Sequence, residues 1–346
     1  MPSNSSLSTS AASNPQTRHK IVVCTDLGPA LPLLRDRRDI DVVTWTENRC
    51  CDRNWMLQNI VGASGVVVCF QNAVDRELVE TAGPNLRVVS TISVGYEHID
   101  LNVLAQHNIR VGYTPDILTD AVADSAVMLA LMASRRAGHS YAFVKNNEWP
   151  TFHWTPFAFC GPQLSTTTFS PTPPCGLWNH TLHLHPPAPA PSRNPHATNN
   201  SAPLTGSYPS RPSTSPALAR DSDVLFVLAP GGPTTRHLVD EAFLRLMKPT
   251  SVLVNNGRGS VVDSTALARA LAEGWIWGAG LDVVEEEPHV GPEHPLVGEP
   301  RCVVLPHIGS AALETRAEMA TLTARNALAG VLGQPLPVAL DYSTLV

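Results

Sequence analysis

From His19 onward, short runs of β-branched residues alternate with stretches of helical periodicity. This alternation is typical of parallel sheets whose faces are covered by helices. In the first third of the chain it predicts four buried strands and two crossover helices. The predicted strands are Lys20–Cys24, Gly65–Phe70, Leu86–Ile92 and Ile109–Tyr113, and the predicted helices are Ala73–Ala82 and Leu101–Gln106.

A long apolar helix is predicted next, over Ala121–Arg136, with Thr119 and Asp120 as candidate N-caps and basic residues at its end. The alternation resumes near residue 221 and predicts a second set of elements of the same kind. The predicted strands are Val224–Leu228, Ser251–Val254, Gly278–Val283 and Cys302–Leu305, and the predicted helices are Asp240–Met247, Ser264–Glu273 and Leu313–Leu332. We therefore expect an α/β protein with two doubly wound parallel-sheet domains.

Composition narrows the possible partners. A chain of 346 residues with 43% hydrophobic content is long enough to bury two cores. A formal net charge of -6 offers no basic stripe for nucleic acid and no polybasic segment for a membrane, so neither is an expected partner. The seven cysteines show no paired metal-ligand spacing, and no metal is expected.

The N-terminal residues 1–18 are Ser-rich and contain no acidic residue, which predicts a disordered tail. No hydrophobic segment follows the first methionine, and no apolar run approaches the length that crosses a bilayer. We therefore expect a cytoplasmic protein in a reducing compartment. A mitochondrial transit peptide is the alternative interpretation of the tail.

Residues 161–216 break the alternating pattern. Prolines recur every few residues, Arg193 and Arg211 are the only charged residues, and no apolar periodicity remains. Proline removes strand donors and blocks helix propagation, so a disordered, Pro-rich segment is predicted. No G-x-G-x-x-G motif occurs anywhere in the chain, because the candidates Gly257–Gly259 and Gly278–Gly280 lack the third glycine.

This segment lies where a second α/β domain would place its first strand and glycine turn. Codons for Cys175–His185, read one base out of frame, permit the strand-like peptide AVFGITLYTST. We therefore hypothesise an out-of-frame stretch beside missing coding sequence, with a natural low-complexity insertion as the alternative. Sequencing the transcript from Thr168 to Ala217 distinguishes the two.

Three strand ends carry groups suited to the reduction of a 2-keto acid, which needs a cation, a proton donor and a group that tunes the donor. Arg258 follows the strand SVLV and can bind a carboxylate in bidentate fashion, with a surface salt bridge as the alternative interpretation. His307 ends another strand and titrates near neutral pH. Glu285, Glu286 and Glu287 follow the strand GAGLDV, and a solvated charge run is the interpretation for the first two.

Two further strand ends are candidate ligand sites. Asp282 can accept a hydrogen bond from the nicotinamide side of a dinucleotide, because ligands bind at the carboxyl edge of a doubly wound sheet. The backbone N–H groups of Val94 and Gly95 follow the strand VVSTI and can receive an anion. An ordinary strand-to-helix turn is the alternative interpretation for that second loop.

The order and spacing of these residues resemble the D-isomer-specific 2-hydroxyacid dehydrogenase family, and most closely its members that reduce glyoxylate and hydroxypyruvate. The resemblance covers residues 20–161 and 221–335. Five motifs carry it: Thr91-Ile92-Ser93-Val94-Gly95, Arg110-Val111-Gly112-Tyr113-Thr114-Pro115, Asn256-Gly257-Arg258-Gly259, Gly280-Leu281-Asp282-Val283 and Leu305-Pro306-His307-Ile308-Gly309-Ser310.

The resemblance implies a flavodoxin-like substrate domain, discontinuous in sequence, and a Rossmann-like NAD(P)-binding domain. After the tail at 1–18, the substrate domain is expected at 19–117 and 312–346, and the NAD(P)-binding domain at 118–311. Within the second domain, residues 161–216 are expected to be disordered or aberrant.

The resemblance also implies roles for individual residues. Arg258, Glu287 and His307 would form the catalytic set, with Val94, Gly95 and Arg258 binding the substrate. Glu287 is assigned because, in the family pattern, the acid before this proline is the partner of the histidine. The implied cofactor contacts are Thr119, Ala229, Pro230, Asn256, Asp282, His307 and Gly309.

The implied reaction is the NAD(P)H-dependent reduction of glyoxylate or hydroxypyruvate to the D-2-hydroxy acid, by a homodimer associated through its cofactor domain. The residues do not distinguish NAD from NADP, and the resemblance favours NADP. Because the glycine turn that receives the pyrophosphate is missing, we expect weak or no dinucleotide binding. An inactive family member is one alternative. A corepressor-like interaction protein is another, although no Lys/Arg-rich nuclear signal is present.

Overall fold

The computed structural model describes residues 18–47, 49–163, 169–171 and 216–342, and the predicted tail before Arg18 and most of segment 161–216 lie outside them. The chain divides into two compact units. The first unit contains the described residues up to Pro115 and from Ala317 onward, and the second runs from Asp116 to Arg316. The predicted boundaries, after residues 117 and 311, lie close to these two points.

The first unit contains a five-stranded parallel sheet in the order β2-β1-β3-β4-β5. Its strands are β1 (His19–Val23), β2 (Ile40–Thr44), β3 (Gly65–Val68), β4 (Val88–Thr91) and β5 (Arg110–Gly112). Its helices are α1 (Pro32–Arg35), α2 (Arg53–Ile60), α3 (Arg76–Ala82) and α4 (Leu101–Gln106), after a 3-10 turn at Gly28–Ala30. The predicted parallel sheet is confirmed, whereas β2, α1 and α2 were not predicted.

Both faces of this sheet are covered. Successive residues of a strand point to opposite faces. On β1, Val22 packs with residues of α2, α3 and α4, whereas Ile21 and Val23 pack with residues of α1 and of α10 (Leu313–Val331). Burial on both faces explains why Ile21–Val23 of β1 and the whole of β3 are continuous apolar runs in the sequence.

The second unit contains another five-stranded parallel sheet, in the order β10-β9-β8-β7-β6. Its strands are β6 (Phe169–Pro171), β7 (Val224–Val227), β8 (Val252–Asn255), β9 (Gly278–Leu281) and β10 (Cys302–Val304). Its helices are α5 (Thr119–Ser134), α6 (Ala137–Lys145), α7 (Pro216–Asp221), α8 (Glu241–Leu244) and α9 (Ser264–Ala272), with 3-10 turns at Trp149–Thr151 and Gly259–Val261. The predicted fold of two doubly wound parallel sheets is therefore confirmed.

Strand β6 lies inside the Pro-rich segment 161–216. Its residues Phe169–Pro171 pair in parallel with β7, and residues 172–215 lie outside the described part of the chain. Among the described strands, β6 lies at the end of the sheet order, a position where proline is tolerated.

Glycines allow α5 to approach β9. A Cβ atom on Gly280 would lie 2.7 Å from the carbonyl oxygen of Leu129, and one on Gly278 would lie 3.0 Å from that of Ala133. Ala279, between them, faces the core cluster on the other side of the sheet. The sequence Gly-Ala-Gly is therefore a packing feature of this strand.

The ends of α5 differ from those predicted. The helix begins at Thr119, so Thr119 and Asp120 lie in its first turn and Leu118 occupies the N-cap position. A backbone hydrogen bond of 3.1 Å from Thr119 to the Asp116 carbonyl forms the preceding turn in place of a side-chain cap. The helix ends at Ser134, since Arg136 has a positive φ of 50° that separates α5 from α6.

Among the described helices, none combines the length and the apolar character that a bilayer span requires. The expected cytoplasmic location stays a prediction.

Candidate active site

Four strand ends lie side by side at one edge of the sheet of the second unit, because β7, β8, β9 and β10 are adjacent and parallel. This is the edge where doubly wound sheets bind ligands. The predicted site residues follow these strands in turn: Ala229 and Pro230 after β7, Asn256 and Arg258 after β8, Asp282 and Glu287 after β9, and His307 and Gly309 after β10.

The structure brings Glu287 and His307 together. Oε1 of Glu287 lies 3.2 Å from Nδ1 of His307, and the two side chains are 27% and 32% exposed. A carboxylate at this distance fixes the orientation and the tautomer of the imidazole ring. The pair can therefore hold and transfer a proton at a ring that solvent partly reaches.

Asp282 holds the loop that carries His307. Its two carboxylate oxygens accept hydrogen bonds from the backbone N–H groups of Ile308 (2.8 Å) and Gly309 (2.7 Å), and its carbonyl accepts one from His307 (3.0 Å). Burial raises the pKa of Asp282, while the two N–H groups act in the opposite direction. A Cβ atom on Gly309 would lie 2.8 Å from Oδ2 of Asp282, so glycine permits this close contact.

The turn that presents Arg258 is closed by a buried asparagine. The side chain of Asn255 accepts from the backbone N–H of Gly257 and donates to the carbonyl of Arg258, both at 3.0 Å. Nη1 of Arg258 donates to the Gly257 carbonyl at 2.9 Å, which holds the guanidinium near the end of β8. A Cβ atom on Gly257 would lie 2.6 Å from the carbonyl oxygen of Ala229, so only glycine lets the two strand ends meet.

Asn256 presents an acceptor that suits an amide donor. Its Nδ2 donates to Oγ of Ser125 at 3.4 Å. Its Oδ1 is buried and has no hydrogen-bond partner within the described part of the chain. Because a buried carbonyl without a partner is unfavourable, a ligand with an N–H group, such as a carboxamide, would be stabilised here.

The expectation of a solvated charge run is wrong for Glu285, whereas Glu286 is half exposed. Glu285 is only 17% exposed, and its Oε1 lies 2.8 Å from Nε2 of His237 and 3.2 Å from Arg236. Oε2 of Glu286 lies 2.9 Å from Nε2 of His294, which is buried. Each glutamate of the run therefore contacts a different histidine, because the three side chains extend toward different segments of the chain.

Three other predicted residues lie away from these strand ends in the sequence. In the first unit, Val94 and Gly95 follow β4, and the Ser93 hydroxyl donates to the Gly95 carbonyl at 2.7 Å. Thr119 is a buried residue at the start of α5. Their roles stay predictions.

Comparison with known proteins identifies relatives over most of the chain. Residues 194–309 match the NAD-binding domain of D-isomer specific 2-hydroxyacid dehydrogenases. The chain is 38% identical over 314 residues to a glyoxylate reductase/hydroxypyruvate reductase of Mus musculus, which covers 88% of this chain and 92% of the relative. It is 35% identical over 312 residues to the Homo sapiens protein of the same name, with 86% and 90% covered.

Solved structures of similar fold include a reductase with the same substrates in its name as the mouse and human relatives. The NADPH-dependent glyoxylate/hydroxypyruvate reductase of Sinorhizobium meliloti, crystallised with NADP and malonate, superposes with a TM-score of 0.69 at 28% identity, covering 94% of this chain and 97% of the other. A protein from Thermus thermophilus superposes with a TM-score of 0.75 at 29% identity, covering 93% and 100%. The chain therefore belongs to the D-isomer specific 2-hydroxyacid dehydrogenase family.

Proposed function

We propose that this chain catalyses the NAD(P)H-dependent reduction of glyoxylate or hydroxypyruvate to the corresponding D-2-hydroxy acid. The observation that carries the proposal is the contact of 3.2 Å between Glu287 and His307, at the sheet edge where Arg258 follows the neighbouring strand β8. The names of the mouse and human relatives support the choice of substrate.

When bound, NAD(P)H would supply the hydride that reduces the keto carbon. His307 donates a proton to the oxygen as negative charge develops on it. Glu287 engages Nδ1 of His307 and so orients the ring for proton transfer from Nε2 to the substrate. Arg258 binds the carboxylate of the keto acid, since a planar guanidinium matches a carboxylate in bidentate geometry.

The residues at the strand ends fit the nicotinamide end of a dinucleotide. The buried Oδ1 of Asn256 would accept from a carboxamide, and Asp282 would contribute its remaining acceptor capacity. Ala229, Pro230 and Gly309 would line the same edge. The relative solved with NADP supports NADP as the cofactor.

The residues do not fit the pyrophosphate of a dinucleotide as they fit its nicotinamide, because the sequence contains no G-x-G-x-x-G turn. That turn and the helix after it normally receive the pyrophosphate. We therefore propose that dinucleotide binding is weak. A calorimetric titration with NADPH and with NADH tests this, and a micromolar dissociation constant for either would contradict it.

The function is tested with purified full-length chain, glyoxylate or hydroxypyruvate, and millimolar NADPH or NADH. We expect slow reduction, and a loss of at least about 100-fold in kcat/KM for His307→Ala and for Arg258→Ala. His153→Ala and Arg220→Ala alter exposed residues of the same two types and should keep the parent rate. Parent-like rates from His307→Ala would refute the assignment, and a folded chain with no turnover would favour the inactive family member.

We further propose a homodimer that forms through the second unit. Tyr141, Trp149, Trp154 and Phe157, which we call the aromatic face, are all exposed, on and after α6. Aromatic residues are enriched in protein interfaces relative to the rest of the surface, which supports this choice of contact.

A further inference from the structure

Four cysteines that are distant in sequence converge in the first unit. Cys24 follows β1, Cys69 follows the neighbouring strand β3, and Cys50 and Cys51 precede α2. The Sγ atoms of Cys50 and Cys69 lie 2.9 Å apart, and Cys51 shares a side-chain hydrogen bond with Cys24. We call these four residues the thiol cluster.

Asn72 joins the cluster through its side-chain amide. Its Oδ1 accepts from the backbone N–H of Cys69 at 3.0 Å, and its Nδ2 lies 3.4 Å from Sγ of Cys51. Cys24 and Cys51 are buried, whereas Cys50 and Cys69 are partly exposed. A small oxidant in solution therefore reaches the outer pair before the inner one.

The two outer thiols differ in acidity. The pKa of Cys69 is lowered to about 7, first because the Cys50 thiol donates a hydrogen bond to it and then because backbone N–H groups of Gln71 and Asn72 do so. The same contact raises the pKa of Cys50. A pKa of about 7 leaves roughly half of Cys69 as the nucleophilic thiolate at neutral pH, beside the protonated thiol of Cys50. Low-pKa cysteines next to a second cysteine are typical of redox sensors.

We propose that Cys50 and Cys69 form a reversible disulfide when the protein meets hydrogen peroxide. The Cys69 thiolate attacks a peroxide oxygen, the O–O bond breaks, and the products are a sulfenic acid on Cys69 and, after proton uptake, one water. The sulfur of Cys50 then attacks the sulfur of Cys69, the S–OH bond breaks, and a second water leaves with the Cys50 proton. Two thiols lose two electrons and two protons, and one peroxide becomes two waters.

The geometry favours this step over metal binding. The two sulfur atoms need to approach by less than about 1 Å to reach the S–S bond length of about 2.05 Å. Among the described residues, no group of three or more His, Cys, Asp or Glu is arranged to hold a metal ion. In a reducing compartment such a disulfide would be transient, since cellular thiols reverse it.

The test counts thiols and identifies the linked peptides, so it does not depend on the proposed enzyme activity. The full chain has seven cysteines. After a brief peroxide treatment and denaturation, we expect two thiols to be lost and to return with dithiothreitol. A tryptic digest should then contain the peptide 50–53 linked to the peptide 54–76, which contains Cys69 as its only cysteine.

Variants assign the bond, since peptide 50–53 contains both Cys50 and Cys51. We expect no linked peptide from Cys50→Ser or Cys69→Ser, and an undiminished one from Cys51→Ser. Cys160→Ser is a second control, because it removes an exposed thiol of the other unit. This variant should keep both the linked peptide and the loss of two thiols. It serves as the control if Cys51→Ser does not fold. An unsubstituted chain that shows no link, or a link that persists in Cys50→Ser, would overturn the proposal.

Discussion

Glu285, Glu286 and Glu287 are consecutive, yet their side chains contact His237, His294 and His307 respectively. Because the three glutamates have different contacts, we expect them to have different roles in structure and in catalysis. Glu285 also accepts from the backbone N–H of Ser264 at the start of α9, so it supports local structure. Glu287 lies beside the proposed proton donor, and Glu286 is half exposed. A change at one of the three should therefore affect a different property from a change at the next.

The substitution Glu287→Gln tests this separation. It keeps the size of the side chain but removes the charge beside His307, so we expect kcat/KM to fall by at least about 100-fold. Because Glu287 is partly exposed, the free energy of unfolding in urea should change by less than about 0.5 kcal/mol.

The matched control is Glu286→Gln, which should keep both the parent rate and the parent stability. Equal losses of rate in the two variants would mean that the negative charge of the whole run matters, and that the specific contact with His307 does not.

Sequence could identify these residues only in part. Arg258 and His307 were predicted because each comes a few residues after an apolar run that predicts a strand. The partner of Glu285 was not found, since His237 is 48 residues away along the chain and no local pattern connects them. The thiol cluster was missed for the same reason, because its members come together only after β1 and β3 pair.

At the scale of elements, the packing of α5 on β9 gives a stability prediction. Gly280→Ala places a methyl group 2.7 Å from the Leu129 carbonyl, so the helix or the strand must shift. We expect the free energy of unfolding to fall by about 1–3 kcal/mol, as for other overpacked cores, measured by urea denaturation.

Gly298→Ala is the control in the same unit. A Cβ atom there meets nothing within 4 Å, and the substitution should change the stability by less than about 0.5 kcal/mol. A parent-like stability for Gly280→Ala would show that α5 is not held closely against β9.

Elements with two buried faces could be predicted, and elements with weak apolar patterns could not. Strand β2 lies at the sheet edge and includes the exposed Asp41, so its pattern is diluted. Helix α2 buries only Met56 and Ile60, and α6 buries none of its residues. In contrast, all four residues of β3, β7 and β8 are buried, and the sequence predicted all three strands.

At the scale of the whole molecule, the aromatic face predicts the oligomeric state. Trp154 and Phe157 are 76% and 87% exposed. We expect light scattering after gel filtration to give the mass of two chains for the parent protein. The double substitution Trp154→Glu and Phe157→Glu should give one chain, because it places charges in an apolar contact.

Val61→Glu provides the control, since Val61 is also exposed but belongs to the first unit. That variant should remain dimeric. A parent protein with the mass of a single chain would contradict the proposed dimer.

The arrangement of strands β7 to β10 has a consequence for how this protein can change over evolution. Every residue proposed here for proton transfer and for carboxylate binding at this edge lies between Ala229 and Gly309, in one continuous stretch. Segment 161–216, where a phosphate-binding glycine turn is expected, lies upstream of this stretch. A recombination event, or an engineer, can therefore exchange residues 161–216 alone and keep the residues between Ala229 and Gly309, together with α5 and Val94–Gly95, which precede that segment.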